Sequence, residues 1–76
     1  MTVILYNKDN DIVGRMGAIN IKINHKIYKA LQGYTTKARA VGTGKFLKSK
    51  GNYNSFRIIK KTFPNLKGIY YIIFIR

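Results

Sequence analysis

Residues 34–54 read YTTKARAVGTGKFLKSKGNYN, and the reading of this stretch decides the architecture. Its first half alternates, with Thr35, Lys37, Arg39 and Val41 on one parity and Tyr34, Thr36, Ala38 and Ala40 on the other. Period two is the repeat of a strand with two unlike faces, so a strand is expected over 34–41. From Gly42 to Asn54 the chain sets Gly42, Gly44 and Gly51 among Lys45, Lys48 and Lys50, with Phe46 and Leu47 embedded. That composition predicts a Gly- and Lys-rich loop, or an extended hairpin tip, at about 42–54.

Upstream, Thr2 to Tyr6 is a β-branched, apolar run and reads as a strand. Asn7 to Asp11 is a cluster of turn formers, and Ile12-Val13 restarts an extended segment, so the first unit is expected to be a hairpin. Gly14 and Gly17 suggest a bulge or sharp bend within it. Ile19, Ile21 and Ile23 alternate with Asn20, Lys22 and Asn24, the pattern of a strand with one buried face. A tight turn at Asn24-His25-Lys26 and a return strand over Ile27 to Leu31 follow, with Gly33 closing that element.

Downstream, Asn54 or Ser55 is placed to cap a short helix carrying Phe56, Ile59 and Phe63 at i, i+3 and i+7. Arg57, Lys60 and Lys61 would take its outer side, and Pro64 would end it. Ile69 to Ile75 is almost wholly apolar and β-prone, as in a central strand buried on both faces. The expected fold is therefore α+β: one domain over residues 1–76, a small, mostly antiparallel sheet of four to five strands, and one short helix in the C-terminal half.

A domain of 76 residues buries only about 60% of the surface its unfolded chain exposes. Small chains often add disulfides or a structural metal, but this one has no Cys and a single His, so packing must suffice. With 46% hydrophobic and 13% aromatic residues, it is too apolar for a disordered polybasic tail. No segment reaches the roughly 20 apolar residues of a membrane span. The first residues lack the basic start and cleavage site of a signal peptide, so an intracellular, cytoplasmic protein is expected. Ile, Asn, Lys, Tyr, Phe and Met supply 42 of the 76 residues, and their A/T-rich codons suggest an A/T-rich genome such as that of a phage, bacterium, plasmid or organelle.

Charge carries the strongest functional signal. Fifteen Lys and Arg face two acids, Asp9 and Asp11, for a net charge of +13. Between Asp11 and Arg76 there is no carboxylate side chain and there are fourteen cations. Codon bias does not explain the missing acids. A surface so positive repels itself unless an anionic partner compensates it, and the phosphate row of nucleic acid is the first candidate.

Catalysis is poorly supported. Two acids two residues apart in one turn cannot flank a scissile bond, and they are too few oxygen ligands for a divalent metal. His25 has no acid outside that turn to orient it, so it reads as a turn residue or phosphate contact. Gly42-Thr43-Gly44-Lys45 falls short of a nucleotide-binding loop, because position 39 is Arg and position 46 is Phe. Its glycine N–H groups could still form an anion-binding nest, or simply serve a hairpin tip. No enzymatic activity and no cofactor are expected.

The expected interface combines Lys37 and Arg39 on a strand face with Lys45, Lys48 and Lys50 in the loop. Tyr34, Phe46 and Tyr53 lie within or beside this stripe, placed to stack on unpaired bases, although Phe46 could instead fold back onto the core. Arg57, Lys60 and Lys61 would add cations from the helix. Lys outnumbers Arg 11 to 4, which favours phosphate neutralisation over base reading and implies low sequence specificity. The alternative is a phage-type inhibitor or interaction protein on an acidic surface of a host protein, marked by an apolar patch amid the cations. A membrane-active peptide would need a strong amphipathic helix, and the expected helix is short.

Overall fold

The computed structural model describes residues 2–51 and 53–76; Asn52, within the expected loop, lies outside the described residues. Among the described residues, six strands and one helix follow in the order β1 (Thr2–Tyr6), β2 (Ile12–Gly17), β3 (Asn20–Ile23), β4 (Lys26–Tyr34), α1 (Lys37–Ser49), β5 (Phe56–Phe63) and β6 (Leu66–Ile75). The α+β class holds. The sheet, however, is mixed and has six strands, where four to five were expected.

The main strand order is β2-β1-β4-β6-β5. Every pair is antiparallel except β1 with β4, which run parallel. Strand β3 pairs with the first half of β4, Lys26–Lys29, while β1 pairs with its end, Gln32–Tyr34. The two therefore lie end to end along one side of β4. Gly33 does not end this strand; it sits inside it, where a Cβ would come within 2.5 Å of Ile72 Cδ1 and 2.6 Å of Leu5 Cδ2.

The local chemistry of the hairpins is readable. Asn7 Oδ1 accepts the backbone N–H groups of Asp9 and Asp11, so both acids are tied into the β1–β2 turn. A bulge leaves Val13 unpaired beside Gly14. Asn24 and His25 have φ of 49° and 67° between the register partners Ile23 and Lys26, the conformation of a two-residue primed hairpin turn. His25 is thus a turn residue, as expected.

Two cores occupy the two faces. Val3, Leu5, Tyr28, Ala30, Tyr70, Ile72 and Phe74 fill one; Tyr34, Ala40 and Ile73, with Phe56 and Ile58 against them, fill the other beneath α1. A register shift at Leu31 reverses the parity of β4, so Tyr28 and Ala30 face one core and Tyr34 the other. The first core is closed by curvature of the sheet itself. Gly14 on β2 approaches Leu66 at the start of β6, although the two strands are not neighbours.

The stretch 34–49 overturns the strand-and-loop expectation. Thr36 is an extended N-cap (φ −121°, ψ 140°) whose Oγ1 accepts from the Arg39 N–H at 3.4 Å, and the helix continues through Gly42 and Gly44 to Ser49. Gly51, at φ 78°, ends it, with N–H of Lys50 and Gly51 returned to Leu47 and Lys48 carbonyls. Tertiary contacts hold it where propensity does not. Thr43 Oγ1 donates to Tyr34 Oη at 3.1 Å, and Ala40 and Gly44 are buried on the sheet.

The two glycines of α1 differ sharply. A Cβ at Gly44 would lie 2.6 Å from the Phe56 ring, whereas one at Gly42 meets nothing within 4 Å. Gly42→Ala should therefore raise stability by about 0.5–1 kcal/mol, through helix propensity alone. Gly44→Ala should lower it by about 1–3 kcal/mol by overpacking. Urea denaturation of both variants checks this; equal gains would mean that the helix does not sit on Phe56.

Candidate nucleic-acid interface

Helix α1 gathers most of the expected contacts. Lys37, Lys45 and Lys48 fall at i, i+8 and i+11, and Arg39, Phe46 and Lys50 at i, i+7 and i+11, so each trio shares a flank. All six are exposed. Ala38, Gly42 and Ser49, also exposed, run between the flanks, so two basic ridges border a low midline. Phe46 stands 60% exposed rather than folding onto the core, and Lys50 Nζ lies 5.3 Å from its ring centroid. Lys37 and Arg39 thus reach solvent from a helix and not, as expected, from a strand face. The cations of 42–50 are carried on a regular scaffold instead of a loop.

No acidic residue occupies the first turn of α1, and its positive end lies beside Lys37 and Arg39, so two sources of positive potential add there. Neither a hairpin tip nor an anion-binding nest forms at Gly42 and Gly44. Both residues lie in the helix interior, where N–H groups belong to the helical ladder.

The expected helix over 54–63 is strand β5, and this splits its cations. Phe56 and Ile58 face the core under α1, whereas Ile59 and Phe63 face the other core. By alternation Lys60 lies on the α1 side of the sheet, and Arg57 and Lys61 on the opposite side. The stripe of Phe56, Ile59 and Phe63 is therefore a coincidence of spacing. Tyr53 is half-buried, its hydroxyl donating to the Gly44 carbonyl and its ring meeting Phe56 edge-on at 6.1 Å. It is an anchored wall and not a free stacking platform.

A second basic cluster, at the end of the sheet where β4 begins and β6 finishes, was missed. Tyr28 is buried along its ring, and its hydroxyl accepts from Ser55 Oγ at 3.4 Å. That bond, and then the charges of Arg57, Arg76 and Lys26, hold its pKa below the ordinary value against an opposing desolvation effect. Arg57 Cζ lies 5.9 Å from the Tyr28 ring. Burial pushes the Tyr53 hydroxyl the other way. Lys26 and Arg76 are 50 positions apart in sequence, so only the fold unites them, through β4 pairing with β6.

No protein-family model, curated protein or solved structure matches this chain.

What the chain can do is therefore read from its own surface. Among the described residues, no group of three or more His, Cys, Asp or Glu could hold a metal ion, and no helix is long and apolar enough to cross a membrane. The surface offers many fixed cations, one exposed aromatic among them, and no acid on α1 or its flanks. Such an array has the charge to neutralise a polyanion.

Proposed function

We propose that this protein is a non-enzymatic nucleic-acid-binding module that engages the phosphate backbone of DNA or RNA through the outer face of α1, with little sequence preference. The observation that carries this reading is the convergence of Lys37, Arg39, Lys45, Lys48 and Lys50 on one rigid helix in a chain of net charge +13. Backbone phosphates repeat regularly, so cations fixed on a helix engage several at once without the ordering cost of a mobile loop. Lys predominance suits charge neutralisation over bidentate base recognition.

The test is binding to labelled duplex DNA, single-stranded DNA and structured RNA across a salt series. Tight binding is expected, with log affinity falling by about 0.9 per phosphate for each decade of salt on duplex. Millimolar or absent binding to all three near physiological salt would overturn the reading. A second reading then takes over, favoured by Phe46, an exposed aromatic that shares its flank with Arg39 and has Lys50 Nζ 5.3 Å from its ring centroid. Such a residue is the anchor expected of an inhibitor docking on an acidic protein surface.

A further inference from the structure

At one end of the sheet, Gly51, Tyr53 and Asn54, which lie between α1 and β5, line an open groove of about 490 Å³ together with the start of β4 and the finish of β6. Its floor is Lys29 and Ile75, direct register partners across β4 and β6. Ile27, 62% exposed, adds an apolar wall, and Arg76, Gly51, Tyr53 and Asn54 complete the lining. The volume lies within the range of about 300–1,000 Å³ typical of small-ligand sites.

The groove is built in advance. Tyr53 is held by its hydroxyl bond to the Gly44 carbonyl and by its edge contact with Phe56, so two elements fix its ring. Arg76 is locked by its backbone: its N–H donates to the Ser55 carbonyl at 3.0 Å, and its carbonyl accepts from Asn54 N–H at 3.0 Å. The chemistry of the lining is mixed in a specific way. Ile27, Ile75 and the Tyr53 ring offer apolar surface to a flat group. The Asn54 amide both donates and accepts, as the polar edge of a base requires. Lys29 and Arg76 supply positive charge on the same floor, and none of the lining residues is acidic. The cluster of Lys26 and Arg57 around Tyr28 lies at the same end of the sheet but on its opposite face.

We propose that this groove holds one unpaired nucleobase, with Lys29 and Arg76 taking the phosphates beside it. The proposal rests on the nucleic-acid reading above and narrows it. A base can enter only when it is out of the duplex stack, so the protein should favour single-stranded or looped nucleic acid. The basic ridges of α1 then hold the flanking backbone in a sequence-independent way, and the groove adds the preference for an unpaired strand.

The experiment is an amide-resonance titration of the full chain with four separate probes: thymidine 5′-monophosphate, inorganic phosphate, an eight-residue oligothymidylate and an acidic Asp/Glu peptide. Direct affinities for the oligothymidylate and a short duplex accompany it. Saturable shifts at Ile27, Lys29, Asn54 and Arg76 are expected with the nucleotide and the oligothymidylate, and not with phosphate alone. The oligothymidylate should bind about tenfold more tightly than the duplex at equal salt. Ile27→Ser, at an exposed site, should weaken oligothymidylate binding about fivefold and leave duplex binding unchanged; Tyr53→Leu should do the same if it remains folded.

Equal shifts with phosphate alone would reduce the groove to an anion site and overturn the base assignment. Groove shifts with the acidic peptide alone would overturn it in favour of a protein ligand. Oligonucleotide binding that moves α1 resonances and leaves the groove still would overturn the groove while the nucleic-acid reading stands. No binding by any nucleic-acid probe would overturn both.

Discussion

Lys45→Glu combined with Lys48→Glu is expected to lower affinity for a nucleic-acid strand by on the order of 10²-fold at moderate salt, with about 1.8 lost from the salt slope on duplex. The paired control, Lys8→Glu with Arg15→Glu, changes net charge identically and should cost less than about tenfold. The difference is one of position. Lys45 and Lys48 lie three residues apart on a single helical flank with Lys37, where one backbone phosphate run meets all three. Lys8 sits in the β1–β2 turn beside Asp9, and Arg15 on β2 lies away from α1, which packs over β4, β5 and β6. Reversal at 45 and 48 also leaves two repelling carboxylates against the phosphates. Both side chains are exposed, so circular dichroism should show an unchanged fold. Equal losses for the two pairs would mean that binding follows total charge and that α1 holds no privileged place.

Phe74→Ala should be the most destabilising single truncation, by about 3–5 kcal/mol. Phe74 is the largest fully buried side chain. It lies mid-sheet, with Ala30 on β4 as its register partner on one side and Arg57 on β5 on the other. Strands hydrogen-bonded on both flanks cannot close on the vacancy, so most of the cavity term is retained. A 76-residue domain is stable by only about 4–11 kcal/mol, and this chain has no disulfide to constrain its unfolded state. The variant should be largely unfolded at 37 °C, whereas Phe46→Ala should stay within about 0.5 kcal/mol of the parent. Thermal and urea denaturation decide it; a loss under about 1 kcal/mol at Phe74 would show that the core beneath the curled sheet is not sealed.

The sheet was legible where side chains speak for themselves. Ile19, Ile21 and Ile23 alternate, Asn24-His25 adopts a turn that its residue types tolerate, and the run from Ile69 to Ile75 is too apolar to lie anywhere but mid-sheet. The helix was illegible because its only local signals are its caps, Thr36 and Gly51. Its buried positions are Ala40 and Gly44, small residues that leave no apolar stripe, and Gly42 and Gly44 argue against a helix on propensity. What selects helix is Phe56, twelve positions after Gly44, whose ring needs a surface without a Cβ. The same contact explains the opposite error, since Phe56 and Ile59 suit one helical face until pairing with β6 sends them to different cores. The site inherited both outcomes. The charge and its residues were readable from composition, but which cations travel together depended on helix against strand, and the cluster around Tyr28 exists only through long-range pairing.

The place of β6 between β4 and β5 bears on how the chain is made. During synthesis, at roughly 5–20 residues per second, β6 emerges after both of the strands it pairs with, so earlier strands wait without the partner that joins them to β5. The parallel contact of β1 with β4 adds a long loop closure, and such non-local pairing slows folding. Once released and until it pairs, Ile69–Ile75, uncharged and β-prone, is the segment most exposed to self-association. Lys67 and Arg76 bracket it as gatekeepers, and the net charge that suits a polyanionic partner also keeps nascent chains apart.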